Sequence, residues 1–235
     1  MMKRPLSNAP AVLVDSTQVS DELEIMTTNP ENTPPSLDDS TAGTSLPAAP
    51  AQPEESGLSP AQRHLRDVWE EHMKCEFATK SVDDTMATMI AGGHVNHVPT
   101  MTGGRGLAEI RDFYSRHFIP HMPPDTKTTP VSRTIGDTQI VDEMIFEFTH
   151  SITMDWMLPG VPPTGKKVTV ALVAIIGFRE GKVSHEHIYW DQASVLVQLG
   201  LLDPSLLPVA GAESAAKVSD PSLPSNALIH RAEGK

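Results

Sequence analysis

An α+β fold is what this 235-residue chain predicts, and three observations lead there. Residues 59 to 118 place apolar side chains at helical spacing, residues 131 to 190 switch to the period of two that marks strands, and residues 1 to 57 hold neither pattern. Helices first and an antiparallel sheet second is the order of an α+β domain.

The first boundary is set by composition. Among residues 1–62 the only basic residues are Lys3 and Arg4, against nine acids and nine prolines in a background of Ser, Thr, Asn and Ala. Such a segment cannot bury enough apolar surface to offset chain entropy. Residues 1–57 are therefore expected to be a disordered acidic arm, 58–207 the folded domain, and 208–235 a mostly irregular tail. The apolar patch Ala9 to Val14 is too short for a signal-peptide core, and the acidity argues against an Arg-rich transit peptide. A cytoplasmic protein is the expectation.

Order starts at Ser59-Pro60-Ala61-Gln62, a capping box with proline at the first helical position. Leu65, Val68, Trp69, Met73 and Phe77 form one apolar face of the helix that follows. Ser81-Val82-Asp83-Asp84 opens a second helix whose stripe, Met86, Met89 and Ile90, stops at Gly92-Gly93. A third runs from Leu107 through Ile110, Phe113, Tyr114 and Phe118 until Pro120. Strands follow over Val131–Thr134 and Thr138–His150, the second with Asp142, Met144, Phe146, Phe148 and His150 on a face expected to be buried. Val168 to Phe178 is apolar without alternation, which predicts burial on both sides. Glu180-Gly181 turns the chain into a last strand, Lys182 to Trp190, and a helix from Gln192 to Leu199 that Gly200 stops.

Whole classes of function fall away. Lys and Arg number 18 against 30 Asp and Glu, a net charge of −12, so a phosphate-binding surface is disfavoured and nucleic acid is not an expected partner. The single cysteine, Cys75, excludes a disulfide framework and a multi-Cys zinc site. The run Val168–Phe178 is about half of the roughly 20 residues a membrane span needs, so no membrane association is expected.

The string His185-Glu-His-Ile-Tyr-Trp-Asp191-Gln, followed by a helix ending Gln198-Leu-Gly-Leu-Leu202, resembles the closing strand and helix of SnoaL-like polyketide cyclases, within the nuclear transport factor two and ketosteroid isomerase superfamily. Asn96-His97-Val98-Pro99 with Gly103-Gly104-Arg105-Gly106, the pair Phe113-Tyr114, and Pro162-Pro163-Thr164-Gly165-Lys166 resemble further segments of that family, over residues 60 to 205. The resemblance implies a cone: three helices over a curved sheet, enclosing an apolar pocket for a small cyclic ligand. It also implies acid/base catalysis without metal or organic cofactor, an acidic residue on the closing strand that Asp191 matches, and homodimerisation through the outer sheet face. The reaction would be a cyclisation, isomerisation or dehydration of a polyketide-like or other cyclic carbonyl compound.

The residues themselves place His187, Tyr189 and Asp191 on one face of the last strand, and Glu186, Ile188 and Trp190 on the other. If the first face is concave, all three enter the pocket, and desolvation would raise the Asp191 carboxyl toward the range of a useful base. Asp191 is equally suited to cap the helix at Gln192. His97, in the loop before Pro99, is expected to position substrate. Trp69, Met73, Phe113, Tyr114, Phe118, His150 and Trp156 are the candidate pocket lining, and Glu143 and Glu147 are expected outside it. Two rival readings remain: a ligand carrier or dimerisation module without chemistry, and a metal-dependent enzyme using His94, His97, His185 and His187.

Overall fold

The computed structural model describes residues 57–234; the expected N-terminal arm lies outside the described residues. All of them belong to one compact unit. Helix α1, Pro60–Phe77, starts with the expected reciprocal cap between Ser59 and Gln62. Helix α2, Val82–Ala87, is capped by the Ser81 side chain, and α3, Gly106–Phe113, runs on through a π turn at Tyr114–Phe118 and a 3-10 turn at Ile119–His121.

The sheet has six strands: β1 Met89–His97, β2 Thr102–Arg105, β3 Lys127–Ile135, β4 Gln139–Thr149, β5 Lys167–Arg179 and β6 Lys182–Trp190. Their order is β2-β1-β6-β5-β4-β3. Neighbours are antiparallel except β1 and β6, which run parallel, so the sheet is mixed where a purely antiparallel one was expected. The first pair of strands was not expected at all. Met89 and Ile90 begin β1 rather than ending α2, and His97 is its last residue rather than a loop. The di-glycine of β2 makes this possible by close approach: a Cβ on Gly103 would sit 2.0 Å from the Val95 carbonyl oxygen, and one on Gly104 within 3 Å of Glu109 backbone.

The core lies between α1, α3 and the inner sheet face, where Leu65, Trp69, Ile110, Phe113, Phe146, Phe148, Val170, Leu172 and Ile176 are buried. Along β5, Val168, Val170, Leu172, Ala174 and Ile176 are buried while the residues between them are half-buried. Alternation therefore holds where burial on both sides was expected, because the outer face is only partly covered. Helices α4, Gln192–Gln198, and α5, Glu213–Ser219, supply that cover against β5. Helix α5 and the short α6, Ala227–Ala232, give the C-terminal tail more order than its composition suggests. Among the described residues no helix is long and apolar enough to cross a membrane.

Candidate functional site

The phase of β6 decides which side chains reach the interior. Gly177 pairs with His185, but Phe178 pairs with Val183, so Ser184 is an extra residue that bulges β6. Val183 can then face inward together with Glu186, Ile188 and Trp190, all of them buried. His185 and His187 are left on the outer face, with Tyr189 at 42% exposure. The expected inward face of His187, Tyr189 and Asp191 is thus the reverse of the one found. Asp191 is exposed and caps α4, accepting from the backbone N–H groups of Ala193 at 2.9 Å and Ser194 at 3.2 Å.

An apolar cavity of about 250 Å³ occupies the interior, at the small end for a ligand site. Trp69, Met73, Tyr114, Phe118 and Trp156 line it as expected, joined by Phe77, Phe146, Leu172 and Ile188. The exposed Lys74 and Thr128 lie at its rim. Phe113 is a core residue packed on His97, with ring centroids 5.4 Å apart. His150 is buried away from the cavity, with its Nδ1 3.3 Å from the Thr164 hydroxyl. Glu143 and Glu147 are outside the cavity, as expected.

Two carboxyls that sequence reasoning passed over, Glu76 from α1 and Glu186 from β6, form the polar end of this cavity. His72 joins them. Its Nε2 is 3.1 Å from Glu76 Oε1 and 3.1 Å from Glu186 Oε1, and the Tyr114 hydroxyl donates to Glu186 Oε1 at 3.0 Å. The Thr88 hydroxyl donates to the Thr85 carbonyl at 2.7 Å, so toward His72 Nδ1, 2.6 Å away, it can only accept. The second nitrogen is then free to donate to both carboxyls when the ring is protonated. Burial opposes that charge, but Glu186 and Glu76 outweigh it and push the His72 pKa up to about 10. Trp69 stacks on the imidazolium at 5.3 Å.

The two carboxyls are driven apart. Burial raises Glu76; the charge and hydrogen bond of His72 pull it down and the facing Glu186 adds to the rise, so the net shift is upward. Burial would raise Glu186 as well, yet His72, the Tyr114 hydroxyl and His97 more than offset it, so Glu186 is ionised. Burial, with Glu186 and Glu76, keeps Tyr114 protonated far above the usual phenol range. The donor atoms of His72, Glu76 and Glu186 all lie within 4.8 Å of one another and could hold one metal ion. With His72 protonated, the imidazolium already supplies the positive charge.

His97 reaches the cavity wall from β1, 3% exposed among the rings of Phe113, Phe118, Trp156 and Trp190. Burial drops its pKa to about 4, so the ring is neutral, and its Nδ1 has no partner within the protein. The segment carrying Trp156 is tied down from both sides. Asp155 accepts from Nδ1 of His117 at 2.7 Å and of His121 at 2.6 Å, and the Trp156 carbonyl accepts from the hydroxyls of Thr100 and Thr102.

A missed signal lay in the apolar stripe of α1, where Leu65, Trp69, His72 and Glu76 follow one helical face: polar residues at core positions need buried partners. A second lay in β6, where Ile188 and Trp190 share a face with Glu186 and so bring it inside.

Residues 60–199 match the family model described as SnoaL-like polyketide cyclase. No curated protein matches the chain. Among solved structures, TsrD from Streptomyces laurentii is 17% identical with a TM-score of 0.48, over 62% of this chain and 99% of TsrD. A protein from Jannaschia sp. CCS1, provisionally named a SnoaL-like polyketide cyclase, is 18% identical with a TM-score of 0.49, over 62% and 98%. An NTF2-like protein of unknown function from Burkholderia pseudomallei K96243 is 13% identical with a TM-score of 0.46, over 58% and 97%. The family match spans helices α1 to α4 and all six strands described above, and with them both carboxyls of the cavity: the chain belongs to the SnoaL-like polyketide cyclase family.

Proposed function

We propose that the chain is a cofactor-independent acid/base catalyst, a cyclase, isomerase or dehydratase, acting on a small polyketide-like or other cyclic carbonyl compound. One observation carries the reading: two buried carboxyls pushed in opposite directions, Glu186 down and Glu76 up, stand side by side at the end of an apolar cavity. Environments that push two carboxyls apart assign a base and an acid.

In this reading Glu186 takes the proton next to the substrate carbonyl. The Tyr114 hydroxyl, which donates to Glu186, is placed to donate to the oxygen where charge develops. Glu76 returns a proton to that oxygen, to carbon or to a departing hydroxyl. His72 is a positioning residue: its Nε2, equidistant from both carboxyls, holds their geometry and offers a path for the proton to be redistributed after turnover. The neutral His97, with one unpartnered nitrogen, binds a polar group of the substrate. The aromatic lining excludes water and favours a flat, unsaturated ligand.

The test is metabolite profiling of the producing cell in three states: intact, gene deleted, and carrying Glu186→Gln. The expected result is one intermediate accumulating in both altered states. Its mass relative to the product separates dehydration from cyclisation or isomerisation. A profile altered by deletion but like wild type in Glu186→Gln overturns the acid/base reading and supports the carrier.

A further inference from the structure

Outside the cavity, on the opposite face of the sheet, three histidines meet. His94 on β1 and His185 on β6 are register partners across the one parallel pairing among the described strands, and His187 follows two residues along β6 on the same face. The rings of His94 and His185 stack at 5.3 Å and 13°, those of His185 and His187 lie 4.8 Å apart, and Nε2 of His94 is 2.9 Å from Nε2 of His187. All three are half-buried.

This proximity is costly for charged rings and well suited to neutral ones. Neutral imidazoles are the form that ligates metal. His185 also has a dedicated space. Its ring lies over Gly177 of β5, where a Cβ would come within 2.0 Å of Cε1. Its Nδ1 faces the Ser184 hydroxyl at 3.5 Å and its ring lies against Gly177, so it turns off that glycine to bring a nitrogen to the other two histidines.

We propose that His94, His187 and His185 form a binding site for a divalent first-row transition ion of the zinc type on the outer face of the sheet. Zinc to imidazole nitrogen distances of about 2.0–2.1 Å in a tetrahedral shell need nitrogens about 3.3 Å apart, so His94 and His187 give up their shared proton, separate by about 0.4 Å and turn both lone pairs to the ion. His185 supplies the third nitrogen by a side-chain rotation, and water fills the fourth position. The surrounding groove also holds Asn96, Arg105 and Glu109. Arg105 opposes a cation there and Glu109 favours it. The role follows from the place: β1 enters the sheet through a parallel pairing whose register breaks between Met89 and His94, and an ion shared by both strands staples that seam. This site is independent of Glu186 and of the proposed catalysis.

The experiment titrates the full chain, first treated with chelator, with Zn²⁺ by calorimetry, and with Co²⁺ by visible absorption. Wild type is expected to bind one ion, to show the intense visible bands of a tetrahedral cobalt site, and to melt a few degrees higher with zinc. His94→Ala and His187→Ala, and the gentler His187→Gln, should each weaken binding by tenfold or more and abolish the zinc-dependent rise in Tm while leaving the circular dichroism of the metal-free protein unchanged. His185→Ala should weaken it less. Undiminished binding in the His94 and His187 variants overturns the proposal. So does binding that is lost in Glu186→Gln, which would place the ion in the cavity.

Discussion

His72 and Glu186 meet across the packing of α1 on β6, Nε2 to Oε1 at 3.1 Å, with both side chains closed off from solvent. The contact joins the two halves of the domain at the inner end of the cavity, and Glu76 and Tyr114 complete it. A buried imidazolium between two carboxyls is stable only as a set, since removing one member leaves a charge without water or partner. The first consequences to test concern that set.

Glu186→Gln keeps the shape of the side chain and removes the base. Turnover should fall by about 10²–10⁴-fold, read by single-turnover assay beside circular dichroism so that lost chemistry is separated from lost fold. Glu76→Gln should also impair turnover, and loss in Glu186→Gln with none in Glu76→Gln would remove Glu76 from the acid role.

His72→Ala leaves a buried carboxylate unpaired and should cost about 3–5 kcal/mol in urea unfolding. The pH dependence has a definite sign. The folded pKa of His72, about 10, lies above its ordinary 6.5, so its stabilisation is fully present below pH 6.5 and is lost as pH rises toward 10. Melting temperature should therefore decline over that alkaline range in wild type and more shallowly in His72→Gln.

His97 has the opposite sign. Its folded pKa, about 4, lies below the ordinary 6.5, so the neutral ring stabilises the fold above pH 6.5 and that contribution is lost as pH falls to 4. A His97→Phe variant, apolar among the same aromatic neighbours, should lose less stability than wild type across this acid range and should bind substrate more weakly.

Asp191 is a helix cap, with two backbone N–H groups on one carboxylate oxygen. Asp191→Asn should keep turnover near wild type, and Asp191→Ala should cost about 1 kcal/mol of stability with little effect on the chemical step. A collapse of activity in Asp191→Asn at unchanged stability would return the catalytic role to this residue.

Asp155 secures the segment that carries Trp156 over the cavity. Asp155→Asn weakens two charge-assisted bonds that are part-exposed, so about 1 kcal/mol is expected, read as a raised KM with kcat little changed. Faster amide hydrogen exchange in residues 151 to 164 would confirm the loosening.

What the sequence by itself determined is the succession of local choices. The capping box at Ser59, the alternation of β4 and β6, the turn at Glu180-Gly181 and the cap-and-stop pair Asp191 and Gly200 are short-range physics, decided by residues within a few positions of one another. The α+β class came from the switch of period along the chain, and the family resemblance, read from the same strings, added the cone and its enclosed pocket. What only the tertiary structure decided is phase and partnership. One extra residue at Ser184 lets Val183 and Glu186 both face inward, reversing the side expected for His187, Tyr189 and Asp191, because a period of two turns a single-residue slip into an exchange of faces. Likewise β1 and β2 form although Gly92, Gly93, Gly103 and Gly104 have poor strand propensity, since pairing with β6 and the close approach at Val95 outweigh it. His72 and Glu76 look like misplaced polar residues in a helix until Glu186, 110 positions beyond Glu76, is folded against them; a buried charge draws its meaning from a partner that no local pattern contains.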